Sequence, residues 1–94
     1  MRTIERTVTN PSGLHARPAT LFVKEASAFQ SRITVENLDR GTAAVDAKSI
    51  LMVLSSGVTK GTQIRISADG PDEDAAADAL GAFVDAGMGE APAG

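Results

Sequence analysis

Asn10-Pro11-Ser12-Gly13-Leu14-His15-Ala16-Arg17-Pro18-Ala19-Thr20-Leu21-Phe22-Val23-Lys24-Glu25-Ala26 is the stretch that decides the fold, because the hydrophobic period changes within it. Before it, residues 2–9 alternate weakly and place Ile4 and Val8 on one face, as a strand does. Asn10-Pro11-Ser12-Gly13 has the chemistry of a turn. After it, Ala19, Phe22, Val23 and Ala26 form one apolar stripe while Lys24 and Glu25 lie off it, which is the period of a helix. Pro18 fits such a helix in the first turn, where its missing N–H costs nothing. The helix therefore begins at or just before Ala16, and His15 takes the N-cap position.

Working outward, Arg32–Leu38 alternates as a strand with Ile33 and Val35 inward. Asp39-Arg40-Gly41 reads as a turn and Thr42–Ala47 as a second short strand, giving a hairpin. Ser49 is a good N-cap for a short helix that runs to about Ser56 and is ended by Gly57. Thr62–Ala68 alternates most clearly, with Ile64, Ile66 and Ala68 on one face and Gln63, Arg65 and Ser67 on the other. Asp69-Gly70-Pro71 breaks it, and Asp72–Ala86 reads as a helix with acids in its first turn, as the macrodipole favours. Ala76, Leu80, Phe83 and Val84 form its expected buried side, and Gly87–Gly94 is expected to fray. The order is β-α-β-β-α-β-α, an α+β chain with four strands in one sheet, helices on one face and the other face wet. One domain over residues 1–88 with a flexible tail over 89–94 is expected, and the chain is read as complete.

Composition bounds the function. A chain of 94 residues makes one domain with one modest core. With no Trp or Tyr and three Phe, that core must come from Ile, Val, Leu and Ala. The absence of Cys excludes disulfides and thiolate metal sites, and it fits a reducing compartment. Nine basic against twelve acidic residues give a net charge of -3, which speaks against nucleic acid as a partner. The charge is uneven: residues 1–65 hold every Lys and Arg, whereas Asp69, Asp72, Glu73, Asp74, Asp78, Asp85 and Glu90 face no base in their own segment. The expected result is a solvated acidic helix. No apolar run follows Met1–Arg6 as in a signal peptide, and the longest, Ile50–Leu54, is far short of the ~18 residues that span a bilayer. A soluble, cytoplasmic monomer without membrane insertion is expected.

The chain has one histidine, in Gly13-Leu14-His15-Ala16-Arg17-Pro18-Ala19. Gly13 permits a tight approach to the helix. An imidazole at a helix entrance stands near the unpaired N–H groups of the first turn, which with the helix dipole bind anions such as phosphate. Arg17 adds a planar cationic fork suited to phosphate oxygens. Neutral imidazole is nucleophilic, so the motif describes a nucleophile facing an anion site. Ile50-Leu51-Met52-Val53-Leu54 makes a second point. A helix of about two turns cannot bury five consecutive apolar residues, and an exposed apolar patch marks a partner surface.

The heptapeptide resembles the active-site signature of HPr, the phosphocarrier of the bacterial phosphoenolpyruvate:sugar phosphotransferase system. Lys48-Ser49-Ile50-Leu51-Met52-Val53-Leu54-Ser55-Ser56-Gly57 resembles that family's short second helix, and the strand order and length match as well, so the likeness covers nearly the whole chain. The resemblance implies an open-faced β-sandwich with a four-stranded antiparallel sheet and three helices on one face. It implies that enzyme I passes a phosphoryl group to Nδ1 of His15, which donates it to a histidine of an enzyme IIA. Arg17 and the backbone amides of Ala16 and Arg17 would hold the phosphoryl oxygens. Thr20, Lys24, Ile50, Leu51 and Leu54 would form the docking face used by both partners in turn. No metal or organic cofactor is implied, and the protein is a carrier rather than an enzyme. Ser49 matches the family's regulatory serine, the target of a serine kinase/phosphorylase and a link to transcriptional regulators in some lineages; those lineages carry Gly where Met52 stands and Leu where Ser56 stands. A carrier in a nitrogen- or dihydroxyacetone-linked branch is the alternative. A non-phosphorylated adaptor fits less well, because such members lack the histidine.

Overall fold

Alternation in the segment Gln63–Asp69 sets the architecture. Ile64, Ile66 and Ala68 are fully buried, and Gln63, Arg65 and Ser67 point to the opposite face. In the computed structural model, which describes residues 1–90, the elements are β1 (Arg2–Thr7), α1 (Ala16–Ser27), β2 (Arg32–Asn37), β3 (Val45–Asp46), α2 (Ile50–Ser55), β4 (Gln63–Asp69) and α3 (Glu73–Asp85). The sheet order is β1-β4-β2-β3, with every neighbouring pair antiparallel. β4 lies inside the sheet, its Ile66 opposite Ile4 on one side and Val35 on the other.

Three helices pack over the buried face, giving the open sheet expected from the sequence. Phe22 of α1 and Leu80 of α3 meet Ile33, Ile64 and Ile66 in one core. The other face is polar: Arg65 reaches Glu5 at 3.0 Å and Glu36 at 3.4 Å. These cross-strand pairs lie in solvent and add little to stability. They do give that face charge that discourages another apolar layer.

Several expectations change. The strand expected over Thr42–Ala47 contracts to Val45–Asp46. Asn37 draws the preceding loop away from the ladder, its carbonyl accepting from the Gly41 amide at 3.1 Å and its Oδ1 from the Arg40 amide at 3.1 Å. Val23 and Phe83 are partly rather than fully buried, while Ala77 joins the buried side of α3. The acids of α3 are not merely solvated. Asp74 and Asp78 pair with Arg2 at 3.1 and 3.2 Å, and Asp85 pairs with Arg6 at 3.1 Å. Gly87–Glu90 does not fray: Met88 is buried in the core, and Glu90 is hydrogen-bonded to Asn10 and Ser12. Residues 91–94 of the expected tail lie outside the described residues.

Asp72 sits at the N-cap of α3, yet its carboxylate makes no cap bond to that helix. It accepts instead from the amides of Gln30 at 2.8 Å and Ser31 at 2.9 Å, and from the Ser31 hydroxyl. The carboxylate therefore ties the α1–β2 connection to the start of α3. These bonds, the Ser31 hydroxyl foremost and the Gln30 amide next, hold its pKa below the ordinary carboxylate value. A depressed native pKa contributes stability above the unfolded pKa, and that contribution is lost as pH falls through the native one. Asp72→Asn should therefore melt lower than the parent at neutral pH, with the gap closing in acid. Thermal melts of both proteins across that range check this, and equal melting temperatures at neutral pH would show that the link contributes nothing.

Candidate functional site

The site is built from the turn that precedes α1. The Gly13 amide donates to the Asn10 carbonyl at 3.2 Å, closing the turn, and Asn10 Nδ2 donates to the Gly13 carbonyl at 3.0 Å. Gly13 has φ +60, and a Cβ there would lie 2.4 Å from the Val58 carbonyl oxygen and 2.7 Å from the Thr59 Cα. Next in the chain, the Leu14 amide donates to that same Val58 carbonyl at 3.1 Å, and the Leu14 side chain is fully buried. The backbone just before His15 is thus pinned against the segment that follows α2.

His15 occupies the N-cap of α1 with extended backbone, φ -133 and ψ 162, as the sequence predicts. Its side chain makes no capping bond and is half-buried. A histidine present merely to cap the helix would accept from a first-turn amide, and this one does not. Ala16 and Arg17 follow, both exposed. Ala16 has φ 54. Left-handed backbone in a residue with a Cβ costs of order 1–3 kcal/mol and clusters at functional sites. Nothing in the residue type Ala announces it, so the sequence reading missed it. No acid lies in the first turn of α1, and among the described residues Arg17 enters no salt bridge. The helix end therefore keeps its positive potential, with one cation beside it.

Thr20 and Lys24 continue the exposed side of α1, and α2 packs beside that helix. On α2, Val53 turns into the core while Leu51 is 76% exposed. Ile50, Leu54 and Met52 are exposed as well. Ile50, Leu51 and Leu54 were singled out by sequence; Met52 joins them because a six-residue helix with one buried position leaves it outward. Ser49 caps α2, its Oγ accepting from the Met52 amide at 3.4 Å. Sequence reasoning did not reach the contacts of Glu90, whose carboxylate accepts from both Asn10 and Ser12 at the base of the turn. Glu90 lies 78 residues from Ser12, and no local pattern signals such a contact. Among the described residues no group of three His, Cys, Asp or Glu side chains could hold a metal ion, and no helix is long and apolar enough to cross a membrane.

Fold and site together define a small open-faced α+β module that presents one imidazole at a helix entrance. The chain belongs to the HPr family of the phosphotransferase system: residues 3–86 match the family described as "PTS HPr component phosphorylation site". The crystal structure of HPr-C-His from Thermoanaerobacter tengcongensis superposes with a TM-score of 0.89 at 42% identity, covering 97% of this chain and 99% of that one. A phosphocarrier protein HPr from Bacillus anthracis gives 0.82 at 38% identity over 88% and 95% of the two chains. The "Multiphosphoryl transfer protein" of Vibrio cholerae is 46% identical over 83 residues, 88% of this chain. The chain spans 21% of that relative's length, so it matches one portion of a longer protein.

The close approach at Gly13 has a direct consequence. In Gly13→Ala the new methyl group meets the Val58 carbonyl, and the backbone must hold φ +60 with a Cβ. Such a change should destabilise by more than about 1 kcal/mol and move the amide resonances of Leu14 and His15. Urea denaturation and an amide NMR spectrum check this; unchanged values would show that the turn is not pinned to Val58.

Proposed function

We propose that the protein carries a phosphoryl group on Nδ1 of His15, taking it from phosphorylated enzyme I and giving it to a histidine of an enzyme IIA in the cytoplasm. The observation that carries this reading is the half-buried imidazole at the α1 N-cap, uncommitted to capping, next to an Arg17 that has no carboxylate partner among the described residues. Membership of the HPr family supports it.

The chemistry balances without a cofactor on this chain. The Nδ1 lone pair of neutral His15 forms a bond to the donor's phosphorus while the bond from phosphorus to the donor breaks and its electrons stay with the donor. The product is a phosphoramidate. Transfer onward reverses the roles, with the acceptor imidazole attacking and His15 leaving. The exposed Arg17 guanidinium pairs with the phosphoryl oxygens, and the amides of Ala16 and Arg17 cap them, which fits a helix start without first-turn acids. Phosphorus charge is thereby met by fixed dipoles rather than by reorganising water.

Both partners dock on the same surface in this reading. Thr20 and Lys24 form its polar side and Ile50, Leu51 and Leu54 its apolar side. The apolar side is exposed in the free protein, which is what a carrier that must release each partner requires.

Incubation with phosphoenolpyruvate, Mg²⁺ and an enzyme I should add one phosphoryl group, labile in acid and stable in base. His15→Ala should accept none, and phosphate uptake by that variant would overturn the reading. Arg17→Ala should slow uptake about tenfold or more, as the loss of a charge-assisted hydrogen bond implies, while stability moves by no more than about 0.5 kcal/mol.

The docking face makes a separate demand. Leu51→Glu should weaken association with enzyme I and leave the melting temperature nearly unchanged, because Leu51 is 76% exposed. Val53→Ala, on the buried side of the same helix, should lower the melting temperature instead. Calorimetric titration with enzyme I alongside thermal melts separates the two effects, and undiminished binding by Leu51→Glu would put the docking face elsewhere.

A further inference from the structure

Past α3 the chain closes the helix with an ordinary left-handed glycine cap, the Gly87 amide donating to the Val84 carbonyl and the Met88 amide to the Phe83 carbonyl, both at 3.0 Å, and then keeps turning. Gly87, Met88 and Gly89 have φ of +89, 52 and +79 in succession. Glycine accepts such backbone readily, but Met88 is strained by it. Burial holds Met88 there, for its side chain is fully enclosed in the core. Gly89 lies so close to Leu21 of α1 that a Cβ would stand 2.7 Å from Leu21 Cδ1. The outcome of the reversal is the position of the next residue, Glu90.

The Glu90 carboxylate is spent on the turn that carries His15. Its Oε1 accepts from Asn10 Nδ2 at 3.0 Å and from the Ser12 amide at 2.9 Å, and its Oε2 accepts from the Ser12 hydroxyl at 2.7 Å. Asn10 Nδ2 also donates to the Gly13 carbonyl at 3.0 Å. Bonds therefore run from Glu90 through Asn10 to the peptide group between Gly13 and Leu14, immediately before His15. Charge-assisted bonds of this kind are the strong ones. Consistently, the Glu90 pKa is held below its ordinary value, by the Ser12 hydroxyl first and the Asn10 amide second.

We propose that Glu90 is a positioning residue for His15. Its carboxylate, acting through Ser12 and Asn10, fixes the turn that sets where the imidazole stands when it takes up a phosphoryl group. The proposal rests on the carrier reading above. It completes a two-sided clamp: Val58 holds the Gly13-Leu14 end of the turn, and Glu90 holds the Asn10-Ser12 end. Without Glu90 the Ser12 donors have only solvent to meet, and one end of the turn is anchored instead of two.

The test compares the full chain with Glu90→Gln and Ser12→Ala, singly and together. Glu90→Gln keeps the volume and one carbonyl acceptor but removes the charge and the second acceptor. In amide hydrogen exchange, Ser12 and Gly13 should exchange about tenfold faster in this variant, because the opening is local rather than global. The Ser12 amide and His15 ring resonances should shift, and the melting temperature should fall at neutral pH with the gap closing in acid, as for any carboxylate held below its ordinary pKa. With enzyme I, Glu90→Gln should lower kcat severalfold with KM unchanged, the mark of an effect on geometry rather than on docking. Adding Glu90→Gln to Ser12→Ala should have a smaller effect than adding it to the parent, since the two share one set of bonds. Unchanged exchange and resonances would overturn the proposal, and so would a loosened turn with an unaltered kcat. If the parent accepts no phosphoryl group, the carrier reading falls by itself, and the exchange and resonance data still decide whether Glu90 fixes the turn at His15.

Discussion

The hydrogen bond from the Leu14 amide to the Val58 carbonyl, 3.1 Å long, is the constraint on which the working end of the molecule depends. It joins the segment entering α1 to the segment leaving α2, two parts of the chain that the sheet alone would not bring together. The bond forms because Gly13 lets the backbones approach to a distance at which any Cβ would collide with that carbonyl. Leu14, fully buried, supplies the hydrophobic drive that keeps the approach closed. From this one contact follow the placement of His15 at the α1 N-cap and the nearness of α1 to α2. The left-handed Ala16 is tolerated in the same setting, since strain persists where surrounding structure over-determines the backbone.

Charge is divided by the same architecture. The acids of α3 are met by Arg2, Arg6 and the amino group of Met1, which lies 2.9 Å from Glu73. That contact raises the pKa of the amine and lowers that of Glu73. Exposed pairs like these are each worth little, yet together they engage the acids of α3 with the cations of β1 and the amino terminus, while Arg17 and Lys24 have no carboxylate partners among the described residues. Net charge of -3 therefore says little about the potential at the α1 entrance.

Elements governed by local periodicity could be read in advance. The β4 alternation, the α1 stripe ending at Ala26 and the Ser49 cap are each written in a window of a few residues, and each stands where the pattern put it. The placement of His15 at the α1 N-cap was legible for the same reason: helix-start chemistry is local. What was missed is set by partners far away in the chain. Thr42–Ala44 carry nothing to disqualify them as a strand; they fall outside the ladder because Asn37 captures the loop. Asp72 looks like an ordinary N-cap, but Ser31 and Gln30 outcompete its own helix. Glu90 follows a glycine-rich end that resembles a fraying tail, and the buried Met88 that anchors it is recognisable only once the core exists. Phe83, expected on the buried side, is only partly buried, while Ala77 and Gly81, one turn apart, are buried on α3 in addition.

The exposed patch on α2 raises the question of how a six-residue helix survives with most of its apolar side chains in water. Its length is below what is stable alone, so tertiary anchors must hold it. Val53 is one, fully buried against the core. The two ends supply the rest: Ser49 caps the first turn, and buried Asn37 donates from Nδ2 to the Ser56 carbonyl at 2.9 Å at the last. None of these anchors uses the side chain of Ile50, Leu51, Met52 or Leu54. The helix is thus anchored through Val53 and its two ends, while the Leu51 side chain, 76% exposed, contributes little to its stability. A surface organised in that way can be covered and uncovered repeatedly without the fold having to readjust, and it can change its outward side chains to suit different partners at small cost to the core.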